Sequence, residues 1–103
     1  MRSLSLKKRA ALVITSGPTT AHIRPAVEML KSMGFKKVLV ATTQEEIDKH
    51  FKQHDIDLVI YKAPEGAFVV PRFLAGSLFL PDIPINEMEK RIKGWLESEK
   101  GMV

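Results

Sequence analysis

A chain of 103 residues with a formal net charge of +4 and no cysteine cannot form disulfides, thiolate metal sites or a thiol nucleophile. With 45% hydrophobic and 27% charged residues, it fits one domain over residues 1–103 with a modest core. Cysteine-free composition suits a reducing compartment, and a cytoplasmic location is expected.

Arg2, Lys7, Lys8 and Arg9 make residues 1–9 a basic arm, expected to be flexible. Such an arm attracts nucleic acid or acidic membranes. The basic residues do not interleave with aromatics, however, and most later lysines alternate with Glu and Asp as on a solvated helix face. Nucleic acid is therefore not an expected partner. The apolar run Ala10 to Ile14 is too short for a secretory signal. The longer run Ala67 to Ile85 is broken by Pro71, Arg72, Pro81, Asp82 and Pro84, so no membrane span is expected.

In chain order, Ala10-Ala11-Leu12-Val13-Ile14 is apolar throughout, as a strand covered on both faces should be. A helix is predicted over His22 to Met33, where Ile23, Ala26, Val27, Leu30 and Met33 form one apolar stripe. Pro25 is expected in its first turn, where a missing N–H does no harm, and Gly34 as the residue just past its end. Lys37 to Ala41 reads as a second strand. Thr43-Gln44-Glu45-Glu46 is a capping-box pattern that opens a second helix, with Ile47 and Phe51 inward. Asp57 to Tyr61 reads as a third strand and Ser77 to Leu80 as a weaker fourth. Between these two, Pro71 to Gly76 suits a short helix, proline at its start and glycine at its end; a hairpin of 67–70 with 77–80 is the alternative. Asn86-Glu87-Met88-Glu89 opens a last helix to about Glu99, with Met88, Ile92, Trp95 and Leu96 buried.

Apolar strands alternating with amphipathic helices predict a parallel sheet covered on both sides. Right-handed crossovers make this a small doubly wound three-layer α/β sandwich, flavodoxin-like or Rossmann-like, with four mainly parallel strands in the order 2-1-3-4.

In such sheets ligands bind beyond the carboxyl ends of the strands, where the strand order reverses. The loop Thr15-Ser16-Gly17-Pro18-Thr19-Thr20 follows the first strand at that place. Gly17 admits a ligand close to the backbone, Ser16, Thr19 and Thr20 offer hydroxyls, and the next helix presents unpaired N–H groups. Arg24 adds a positive charge. His22 is the candidate for orienting a ligand or moving a proton, its pKa lying near neutrality. The expected ligand is a phosphate-bearing or other anionic small molecule; its identity, any cofactor and any reaction stay unassigned. The same residues also suit a plain strand-to-helix turn. The loop has one glycine, matches neither G-x-G-x-x-G nor G-x-x-x-x-G-K-[ST], and loses an N–H at Pro18.

Thr19 to Thr43 resembles the opening β-α-β unit of nucleotide-sugar glycosyltransferases with two Rossmann-like domains. His22 and Pro25 match that pattern, as does Val40-Ala41-Thr42-Thr43. Ala21 stands where those enzymes have glycine, and these 103 residues hold no counterpart of their donor-sugar half. Ile14-Thr15-Ser16-Gly17-Pro18-Thr19 is similar to the first loop of phosphopantothenate–cysteine ligases, without a match downstream. Both resemblances imply shared βαβ grammar and no named activity.

His50 and His54 share a helix face with Glu46, a spacing that can grip a metal only with a further ligand; no metal site is expected. Asp55 and Asp57 fall at the amino end of the sheet and read as turn formers. Lys62, Glu65 and Arg72 are the residues best placed to complete a site with the first loop. The apolar content of 68–85 exceeds what one short crossover usually buries. It makes a homodimer or partner interface the alternative function, that of a non-enzymatic accessory module.

Overall fold

The computed structural model describes residues 10–16, 20–71 and 76–101, the side chains of 20–22 and 99–101 excepted. The elements are β1 (Ala10–Thr15), α1 (Thr20–Ser32), β2 (Lys37–Ala41), α2 (Gln44–Gln53), β3 (Ile56–Lys62), β4 (Leu78–Leu80) and α3 (Ile85–Gly101). The four strands form one all-parallel sheet in the order β2-β1-β3-β4. Together with three helices this is the small doubly wound α/β sandwich that the sequence predicts.

β1 lies at the centre of the sheet, and all six of its residues are buried. Its side chains alternate between faces, as a strand's must. Ala11 and Val13 join Leu58, Ile60 and Leu80 under α1 and α3, where Ile23, Ala26, Leu30, Met88 and Ile92 pack. Leu12 and Ile14 join Val59 on the other face, where Ile47 of α2 packs with Phe51, Phe68 and Val70. The chain leaving β1 thus returns over one face, while the segment leaving β3 crosses the other.

α1 ends as Gly34 requires. With Gly34 at φ 104°, the Gly34 N–H donates to Lys31 and the Phe35 N–H to Leu30. That is the paired closure of a Schellman end. Its start differs from expectation. The helix begins at Thr20, two residues before His22, so Pro25 is its sixth residue and lies inside it. Pro25 therefore offers no N–H to the Ala21 carbonyl. Pro25 is exposed, which leaves that gap on the solvent side, where water can fill it.

α2 keeps its predicted cap, displaced by one residue on the return contact. Thr43 Oγ1 accepts from the Glu46 N–H at 3.1 Å. Glu46 reaches back past the cap, accepting from the Thr42 N–H at 2.7 Å and the Thr42 hydroxyl at 3.0 Å. The Thr42 backbone bond, then the Thr42 hydroxyl, hold the Glu46 carboxyl below the ordinary glutamate range. A group with a depressed folded pKa stabilises the fold above its unfolded pKa, and that contribution fades as pH falls through the folded value. Glu46→Gln should therefore lower the melting temperature at pH 7. The difference from wild type should shrink as pH falls below about 4, a dependence that paired thermal melts would reveal.

α3 starts at Ile85 rather than at the predicted Asn86. The Glu87 and Met88 N–H groups both donate to the Pro84 carbonyl at 3.0 Å, so the backbone of Pro84 opens the helix. β3 includes Asp57 to Tyr61, the predicted third strand, with one further residue at each end, so Asp57 is a strand residue and not a turn former. β4 is parallel to β3, and 67–70 is not a strand; the 67–70/77–80 hairpin is thereby excluded. Arg72 to Ala75, the centre of the predicted short helix, lie outside the described residues.

Candidate functional site

The carboxyl edge of the sheet is where the connections from β1 and β3 part to opposite faces. Ser16 follows the last residue of β1 there and is exposed, while its neighbour Thr15 is fully buried. The backbone of α1 starts four residues on, at Thr20. Ser16 and the start of α1 are thus brought to the same edge. Arg24, the fifth residue of α1, is exposed. Gly17, Pro18 and Thr19 lie outside the described residues, as do the side chains of Thr20 and His22.

β3 supplies the neighbouring wall. Lys62, its last residue, pairs in register with Thr15. By alternation from Leu58 and Ile60, its side chain falls on the α1–α3 face. It is 11% exposed and meets Asp82 at 2.6 Å, whose side chain is 53% exposed. Asp82 lies between β4 and α3, 20 residues from Lys62, and no local sequence signal links the two. Beyond β3, the Ala67 N–H donates to Pro64 at 3.0 Å around Gly66 at φ 83°. This is the glycine-requiring position of a type II turn. Glu65 is exposed at its corner.

The segment after that turn is tied down by side chains acting in place of a strand. The Phe68 N–H donates to the Tyr61 hydroxyl at 3.0 Å. The Gln44 side chain donates to the Val69 carbonyl at 2.7 Å and accepts from the Val69 N–H at 2.8 Å. Gln44 is the first residue of α2, so this pair of hydrogen bonds links the loops after β2 and β3 along the carboxyl edge. Neither tether was among the residues singled out from the sequence, since each depends on contact between segments far apart in the chain.

No family model, curated protein or solved structure matches the chain. The site therefore has to be judged by its own chemistry. At its edge it combines an exposed serine at Ser16, a helix start at Thr20 and an ammonium at Lys62 that is paired with Asp82. These are donors, and donors suit an anion.

Elsewhere, the His50 Nε2 donates to the Val40 carbonyl at 3.1 Å, and the His50 and His54 rings lie 6.2 Å apart. The Nδ1 atoms of both are buried with no hydrogen-bond partner. Among the described residues no group of three or more His, Asp or Glu could hold a metal ion. An open groove on α2 is lined by Glu45, Asp48, Lys49, Lys52 and Gln53. Its acids and lysines recur at four-residue spacing, as on a solvated helix face. No helix among the described residues is long and apolar enough to cross a membrane.

Much of the apolar run 68–85 is used inside the protein. Phe68 and Val70 pack on the α2 side, and Leu78, Leu80, Ile83 and Ile85 on the α1–α3 side. Val69 and Phe79 remain 73% and 46% exposed. The Phe79 ring lies 5.7 Å from that of Tyr61.

Proposed function

We propose that this protein binds a phosphate-bearing or other anionic small molecule at the loop between β1 and α1. One observation carries this: the parallel order β2-β1-β3-β4 sets that loop at the carboxyl edge where the strand order reverses, the usual ligand edge of such sheets. Ser16, Gly17, Thr19 and Thr20 would cradle the anion, Arg24 would pair with its charge, and His22 would orient it or transfer a proton. The reaction, if the protein catalyses one, stays unassigned, and a cytoplasmic setting is part of the proposal.

A thermal-shift panel of nucleotides, sugar phosphates, inorganic phosphate and dicarboxylates tests it. At least one anion should raise the melting temperature, because a ligand that binds only the folded state stabilises it. The shift should fall in Ser16→Ala and in Arg24→Gln. A flat panel, or a shift equal in both variants, would contradict the proposal.

The exposure of Val69 and Phe79 favours a second reading, a homodimeric accessory module that docks through residues 68–85. On that reading Phe79→Asp lowers the mass measured by light scattering. A strict monomer at high concentration would exclude it.

A further inference from the structure

We propose that Lys62 is a second cation, beside Arg24, that meets the anion in this site, and that Asp82 is its resting counter-ion, exchanged for the ligand on binding. The proposal rests on the anion-site assignment above and names the charge and the exchange that serve it.

Lys62 is the last residue of β3 and is paired with Thr15, one residue before Ser16. Adjacent strands are about 4.8 Å apart, so the base of the lysine stands beside the carboxyl end of β1. Its side chain falls on the same face as α1. The Lys62 side chain is only 11% exposed, and a cation on a largely enclosed side chain is best held by a negative partner. Asp82 provides one at 2.6 Å.

The two halves of this pair are unequal. Lys62 is held on a strand at the core. Asp82 is half in water, with its side chain 53% exposed, on the irregular segment between β4 and α3. Releasing Asp82 to solvent costs little, because an exposed carboxylate is readily hydrated. Releasing Lys62 would leave a charge unpaired on a side chain only 11% exposed. An arriving anion is therefore expected to displace the aspartate and keep the lysine. A phosphate monoester is the favoured class, since it brings up to two charges and three acceptor oxygens where Asp82 brings one charge. The pair then sets selectivity: a weakly charged ligand fails to outcompete Asp82, and a dianion succeeds.

Inorganic phosphate titrated at low salt into the wild type, Lys62→Met and Asp82→Asn tests this, with amide spectra confirming that each variant folds. Lys62→Met should weaken binding by about tenfold or more, the worth of one charge-assisted hydrogen bond. Asp82→Asn should bind phosphate more tightly than wild type, since the competitor is gone. Lys62→Arg, which keeps the charge, should retain most of the affinity. Wild-type affinity in Lys62→Met, with loss in Ser16→Ala and Arg24→Gln, would leave the anion site standing and overturn the role of Lys62. Asp82→Asn binding no more tightly than wild type would overturn the exchange. No phosphate-induced shift of the Ser16 amide in either wild type or Asp82→Asn would overturn the anion site itself.

Discussion

Leu12→Ala should cost about 2–5 kcal/mol of folding stability. Leu12 is fully buried at the middle of the central strand, packed with Ile14, Ile47 and Val59 on the α2 face. Its strand is bonded to β2 on one side and β3 on the other, so the backbone cannot move in to fill the space. The cost therefore combines lost transfer energy with the cavity left behind. Domains of this size have a total stability of only about 5–15 kcal/mol. The melting temperature should fall by about 10–25 °C, and a urea midpoint should fall with it at unchanged slope. A fall of only a few degrees would show that Leu12 is not enclosed between sheet and helix.

Ile92→Asp should be more severe. Ile92 is fully buried on α3 within the cluster that also holds Leu58, Ile60, Leu80 and Met88. A carboxylate there must be ionised without a partner or protonated against its ordinary pKa, and both are costly. A loss above about 4 kcal/mol is expected, of the kind tied to an unpaired buried charge. The purified variant should show broad amide spectra or fail to fold. One position away, Arg91 is exposed and pairs with Glu87 at 3.2 Å across one helical turn. Arg91→Ala should change stability by about 0.5 kcal/mol or less. Urea titration of the two variants checks the contrast. Similar losses at both positions would mean that α3 does not pack by the face assigned to it.

The layered architecture was readable from residues because the two inner strands, β1 and β3, are covered on both faces. That burial demands unbroken apolar runs such as Ala10 to Ile14 and Leu58 to Ile60, and the right-handed crossover rule then limits the strand order. Helix ends were less readable. Thr20 and Ala21 carry no stop signal and Pro25 is tolerated on an exposed face, so α1 starts earlier than its apolar stripe suggests. α3 is opened by a carbonyl of Pro84, which its side chain does not announce. The place of the candidate site follows from the strand order, and Ser16, Thr20 and Arg24 could be named from it. Lys62 could be named too, but the pairings that give the edge its shape could not. Lys62 with Asp82, and Gln44 with Val69, are 20 and 25 residues apart. Such pairs are set by three-dimensional closeness, and no sequence spacing encodes them. The sequence names no ligand because the loop has hydroxyls and one glycine but no phosphate-cradle motif.

We propose that the carboxyl end of β1 and β3 is where this protein binds an anion. An amide chemical-shift titration with inorganic phosphate tests it most directly, because it reports every backbone N–H at once. Shifts that saturate and concentrate at Ser16, at the first residues of α1 and at Lys62 are the predicted result. Shifts confined to Lys49 and Lys52 on the outer face of α2, or scattered without saturation over the exposed lysines, would contradict it.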